Sequence, residues 1–261
     1  YFPNCTGILG DVYIFGCSAF GGCPGGIQNL TGLGGISSIS GGLVLDGVAP
    51  SDNLNGLNSL QSLGSLGIDE SSITNLSFLN GLTSLGHCNI GVFGNFMTSL
   101  SGLNNITSMS GSISVGFNPS LVNLNILNNV TSIGGDFKIT TNPMLSNVSN
   151  MNNLTSIGGY FEISSNSSLY NFSGLNNLTF IGHRVRIFNN SALTSLYGLN
   201  NLNSTNSFST NSPIDPSSIQ ITQCPSLNSL TALNNLVSTS ETLNIFNNSS
   251  LFQCEATGIC S

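Results

Sequence analysis

The sequence predicts an all-β-type solenoid, a right-handed stack of repeats with one parallel sheet of about ten short strands. Three observations predict it. Apolar residues recur with a period of 24 residues, and a fixed period of that length is the mark of stacked repeats. Each period contains a Leu-x-x-Leu-x-x-Leu stretch and a short alternating stretch. Only 5% of the 261 residues are charged, against roughly 25% in ordinary soluble domains, so Asn, Ser, Thr and Gly must carry the contact with solvent.

The clearest blocks begin at Met97, Leu121, Leu145, Leu169 and Leu193. In the block from Leu121 the apolar positions are Leu124, Leu127, Val130, Ile133, Phe137 and Ile139. The next block repeats them as Val148, Met151, Leu154, Ile157, Phe161 and Ile163. Spacing of three fits extended or 3₁₀-like segments better than an α-helix of period ~3.6. The pairs Gly134–Gly135 and Gly158–Gly159 are expected to bend the chain with positive φ. Phe137-x-Ile139 then reads as a strand with one buried face. An Asn follows three residues later, at Asn118, Asn142, Asn166, Asn190 and Asn248, with Cys224 in the same place. Its amide can satisfy backbone groups of the turn and of the neighbouring rung. One block cannot bury its apolar face alone, but a stack can. Strands are therefore expected at Val12/Ile14, Leu43/Leu45, Leu66/Ile68, Cys88/Ile90, Ile113/Val115 and onward to Leu243/Ile245. Residues 1-26 read as an N-terminal cap with the first strand, 27-250 as nine repeats with an insertion at 203-217, and 251-261 as a C-terminal cap.

The stretch 153–166, Asn-Leu-Thr-Ser-Ile-Gly-Gly-Tyr-Phe-Glu-Ile-Ser-Ser-Asn, resembles the repeats of the receptor L-domain group, which are leucine-rich-repeat-like. It is also similar to repeats of fungal cell-wall glycoproteins. The resemblance covers about residues 5 to 254. It implies a leucine-rich-repeat-like stack whose exposed sheet face is the usual binding surface.

The net charge is −7, and the only bases are Lys138, Arg184 and Arg186. Nucleic acid and anionic membranes are recognised through basic clusters, so neither is expected as a partner. The repeat frame puts Lys138, Glu162 and Arg186 side by side on the sheet, with Asp136, Tyr160 and Arg184 in the adjacent column. This concentration of charge is either a cross-strand ladder or a partner patch. Asp46 and Asp69 share a column, with Asp11 beyond, but no further acidic ligands gather there and no metal is expected. His87 and His183 read as substitutions in the glycine turn. No catalytic set emerges, so no enzyme activity and no cofactor are expected.

Asn-x-Ser/Thr acceptors are abundant, at Asn4, Asn29, Asn75, Asn105, Asn129, Asn147, Asn153, Asn171, Asn177, Asn189, Asn203 and Asn247. N-linked glycans are expected to replace charge as the solubilising coat. Asn166 and Asn248 also head acceptor triplets but face the interior ladder. Cys88, Cys17 and Cys224 fall on core or ladder positions and read as buried thiols. That leaves Cys5-Cys23 and Cys254-Cys260 as cap disulfides, with Cys17–Cys23 as an alternative. The chain begins at Tyr1 and reads as a processed, secreted form. The expected role is that of a structural or adhesive glycoprotein at the cell surface, such as a protomer of an extracellular filament, wall or coat, that self-assembles or holds a protein or carbohydrate partner. The alternative is a ligand-binding receptor ectodomain that uses the sheet face.

Overall fold

The computed structural model describes residues 5–16, 27, 30–49, 54–90, 96–124, 127–205, 217–239 and 242–251. The chain is an all-β parallel solenoid. The 17 strands among the described residues join in one sheet made of two ladders. The main ladder runs through Val12–Phe15, Ser38–Asp46, Ser62–Asp69, Ser84–Ile90, Ile113–Gly116, Phe137–Thr140, Phe161–Ser164, Val185–Phe188, Ser217–Thr222 and Thr242–Phe246. Every neighbouring pair is parallel and in the register that the repeat implies: Val12 lies opposite Leu43, Cys88 opposite Ile113, Phe137 opposite Phe161, and Ile221 opposite Ile245.

A second ladder extends what the sequence reading expected. It starts at Gly7–Ile8 and continues through two-residue strands such as Ser132–Ile133, Ser156–Ile157 and Phe180–Ile181 to Ser238–Thr239. The long strands Ser38–Asp46, Ser62–Asp69 and Ser84–Ile90 belong to both ladders and join them. Two residues are too few to show a strand's period of two, which is why the second ladder is not legible as sheet in the sequence. The Leu-x-x-Leu stretches form the return side. Four of them tighten into single 3₁₀ turns, Thr31–Leu33, Asn55–Leu57, Ser77–Leu79 and Thr231–Leu233. Among the described residues there is no α-helix, and no helix is long and apolar enough to cross a membrane.

One continuous apolar core fills the stack from Ile14 to Leu233. Phe137 and Phe161 are fully buried and stack at 5.6 Å between ring centroids, while Phe172 meets Phe161 edge-on at 6.0 Å. Such side chains each contribute about 1.5–3 kcal/mol on burial, and offset aromatic pairs add to it.

The glycine turns work differently from the expectation. Gly134, Gly135, Gly158 and Gly159 are not in the left-handed region. They are required by close stacking instead: a Cβ on Gly134 would stand 2.1 Å from Ser110 O, and one on Gly158 would stand 2.3 Å from Gly134 O. Left-handed backbone occurs just before the ladder Asn, at Thr141, Ser165 and Asn189 with φ of 55–57°. That conformation costs a non-glycine residue roughly 1–2 kcal/mol. The ladder that follows supplies compensating hydrogen bonds.

The insertion is also shorter than expected at its start. Asn203 N–H donates to Thr179 O at 3.1 Å, and Ser204–Thr205 pair with Phe180–Ile181. The stack therefore continues to Thr205. It resumes in the strand Ser217–Thr222, and residues 206–216 lie outside the described residues.

Candidate functional site

The outward side chains of the main ladder form straight columns, because successive strands are in register. Lys138 lies opposite Glu162, Glu162 opposite Arg186, and Arg186 opposite Gln220. Lys138 Nζ reaches Asp136 Oδ2 at 2.7 Å, and Arg186 Nη1 lies 4.0 Å from Glu162 Oε2. Arg186 Nε donates to Gln220 Oε1 at 3.0 Å. Exposed pairs of this kind are worth at most about 1 kcal/mol each. Their main effect is to hold the long side chains flat on the sheet.

The adjacent column is ordered by backbone contacts. Asp136 Oδ1 accepts the N–H of Tyr160 at 2.9 Å, and Ser112 Oγ accepts that of Asp136 at 2.9 Å. His87 Nδ1 accepts the N–H of Ser112 at 3.0 Å in the same manner. His87 thus has a structural role as an acceptor in this column. His183 stacks on Tyr160 with centroids 5.2 Å apart, and Lys138 Nζ stands 5.4 Å from the Tyr160 ring centre. Arg186 covers the Phe188 ring at 4.3 Å. Lys138, Tyr160, Phe161, Glu162, Arg184 and Arg186 line a shallow cavity of about 230 Å³. Sequence reasoning missed His183 and Gln220 here. Counting the repeat across the insertion would have placed Gln220 in the Arg186 column.

The acidic residues near the N-terminal end do not form one group. Asp46 lies opposite Asp69, but the residue beyond Asp46 is Phe15. Asp11 belongs to the other column, where its Oδ1 accepts the Gly42 N–H at 2.7 Å. The reason is register: Asp11 precedes its strand, whereas Asp46 and Asp69 end theirs. Among the described residues no three His, Cys, Asp or Glu side chains gather to hold a metal ion.

The glycosylation triplets fall into two structurally different columns. Asn105, Asn129, Asn153 and Asn177 donate Nδ2 to the main-chain oxygen of the preceding coil at 2.5 to 3.0 Å. Asn201 and Asn235 make the same bond although neither heads an acceptor triplet. In the second column Asn75, Asn147 and Asn171 use Oδ1 instead, accepting the N–H two residues on at 2.9 to 3.2 Å. This is an Asx turn, and it leaves Nδ2 clear of the backbone. Asn189, Asn203 and Asn247 are exposed, whereas Asn166 and Asn248 are buried in the ladder. Asn4 and Asn29 lie outside the described residues.

Cys88 is buried in the core, and burial pushes its thiol up to about 12. Cys224 is buried on the ladder; burial raises its pKa, and hydrogen bonds to Asn190 oppose the rise. Cys5 is exposed, with Sγ 3.1 Å from Gly7 O. Cys17, Cys23, Cys254 and Cys260 lie outside the described residues, and with them the cap pairings. Compared with protein-family models and with curated protein sequences, the chain matches none.

Proposed function

We propose that this chain is a secreted, non-enzymatic adhesive glycoprotein whose contact surface is the outward face of the main ladder around Tyr160. One observation carries the reading. All three bases of a protein with net charge −7 fall within three consecutive strands of this face, Lys138 on the first, and Arg186 on the third with Arg184 just before it. None of the Asn-x-Ser/Thr acceptors occupies an outward strand position there. Glycans on the return side would leave the outward strand positions bare, those on Asn189 and Asn247 standing just past the strand ends, and a bare, rigid, polar face is what a solenoid offers a partner. The repeats are those of a leucine-rich-repeat-like solenoid of the receptor L-domain group; the left-handed residue, the Asn ladder and the parallel strands all support that assignment. Secretion is supported by the acceptor triplets and by the small charge content. An end-to-end filament is the second reading. It is favoured by Tyr13 and Phe15, which stack at 6.2 Å and are exposed on the first strand, and by exposed Phe246 on the last.

A glycan wedge tests the contact face. Gln220→Asn creates an acceptor with Thr222 on the outward face of the sheet, beside Arg186, and Ser229→Asn creates one with Thr231 on the return side. Both variants would be secreted from a glycosylating host, and added mass would verify occupancy. The wedge on the sheet is expected to abolish attachment to the extracellular surface of the producing cell, and the wedge on the return side to spare it. Attachment that survives the sheet wedge would end the reading.

A further inference from the structure

We infer that the sheet face binds an extended acidic polysaccharide, a chain of uronate-type sugars laid across the strands. The inference rests on the proposed contact face and names what that face holds. The outward column Ser114, Lys138, Glu162, Arg186, Gln220 and Asn244 is continuous and in register. All six side chains are hydrogen-bonding and none is buried. At a strand spacing of ~4.8 Å the lane is roughly 24 Å long.

The spacing of charge selects the ligand. Lys138 and Arg186 occupy column positions two strands apart, roughly 9.6 Å by the ~4.8 Å strand spacing, with Glu162 between them; Lys138 Nζ is held by Asp136 Oδ2 at 2.7 Å, a pairing that an incoming carboxylate shares or replaces. An extended pyranose chain advances by about one strand spacing per sugar. In a two-fold chain every second carboxylate faces the same side, so same-side carboxylates repeat at the Lys138-to-Arg186 distance. The intervening sugar turns its carboxylate away and presents hydroxyls, which Glu162 can accept. An acidic peptide does not match: its same-side residues repeat at about 6.7 Å, twice the strand rise.

The remaining contacts fit the same ligand. Arg186 engages Glu162 through Nη1 and Gln220 through Nε, an arrangement that aims its guanidinium along the lane. Arg can meet a carboxylate through two parallel N–H groups. The cavity of about 230 Å³ beside Tyr160 and Arg184 is smaller than the 300–1,000 Å³ of pockets for drug-sized ligands. It suits one sugar of a longer chain.

The test measures binding of the intact secreted protein to polygalacturonate and to alginate, with a neutral β-glucan and polyglutamate as comparison probes. Binding to at least one uronate polymer is expected, weakened by salt. Lys138→Ala and Arg186→Ala should each weaken it roughly tenfold, the size expected for one hydrogen bond to a charged group. Glu162→Gln should strengthen it, since it keeps an acceptor and removes a like charge. These side chains face solvent, and circular dichroism verifies that each variant is folded. Absence of uronate binding, equal binding of polyglutamate or β-glucan, or indifference to both alanine variants would overturn the inference. If the sheet wedge blocks cell attachment while uronate binding is absent, the contact face stands and only the ligand is wrong.

Discussion

The backbone N–H of Asn166 donates to Oδ1 of Asn190 at 2.9 Å, across one coil of the solenoid. Asn190 Nδ2 in turn donates to Ile163 O at 2.9 Å and to Phe188 O at 3.1 Å. The N–H of Asn142 donates likewise to Asn166 Oδ1, and the Nδ2 groups of Asn166 and Asn142 donate to the equivalent carbonyls of the preceding coils, Ile139 and Ser164, and Val115 and Thr140. One side chain thereby bonds three backbone groups at the point where the chain leaves the sheet.

Asn166→Ala should therefore be among the costliest single changes. It strands the N–H of Asn142 and takes the amide donor from Ile139 O, whereas Ser164 O still accepts the N–H of Thr141 at 2.9 Å; a buried group left without a partner costs about 1–3 kcal/mol. A loss of at least about 2 kcal/mol in urea unfolding is expected by that measure. Cys224→Asn should act in the opposite direction, because Cys224 keeps the acceptor role but lacks the amide donor. A gain of about 1 kcal/mol is expected, and a loss would show that the pocket there has closed around sulfur.

Two glycines separate crowding from flexibility. Gly158→Ala forces a Cβ to 2.3 Å from Gly134 O, whereas a Cβ at Gly32 meets nothing within 4 Å. The first change should destabilise by about 1–3 kcal/mol, as overpacking does. The second should be neutral within about 0.5 kcal/mol, as surface changes are. Thermal melts of both variants check the contrast.

Phe161→Ala removes a side chain that is fully buried between Phe137 and Phe172. A cost of about 3–5 kcal/mol is expected. A cost below about 1 kcal/mol, outside the range for buried aromatics, would mean that the stack is loosely packed at its centre.

The Cys88 thiol is raised from 9.0 to about 12 by burial in the apolar core. The folded state then holds the proton more tightly than the unfolded state does. Its contribution is full below pH 9.0 and is lost as pH rises from there toward about 12. Wild-type protein should thus lose stability between pH 8.5 and 10.5, roughly the start of that window, more steeply than Cys88→Val. Parallel slopes would place the thiol in contact with water.

The two Asn columns should differ in glycan occupancy. Asn147 and Asn171 hold their turns through Oδ1, so a sugar on Nδ2 leaves the turn bond intact. Asn153 and Asn177 use Nδ2 itself against the preceding coil. Glycopeptide mass spectrometry of secreted protein should find the first pair more fully occupied, and Asn166 unmodified. Equal occupancy across both columns would refute the distinction.

The sequence by itself determined the main ladder. A period of 24 residues aligns Phe137, Phe161 and Val185 without any tertiary information, because a stack buries only what recurs at the same place in each coil. It also located Lys138, Glu162 and Arg186 on one column, since alternation within a strand decides which side chains face outward. Three features were decided only in the tertiary structure. The second ladder rests on two-residue strands that acquire pairing only from their neighbours. The glycines are explained by the backbone of the adjacent coil, a distance that no local pattern encodes. The aim of each side chain, such as Nδ2 of Asn153 toward Asn128 O or His183 onto Tyr160, depends on atoms that come from the adjacent coil, about 24 residues away along the chain.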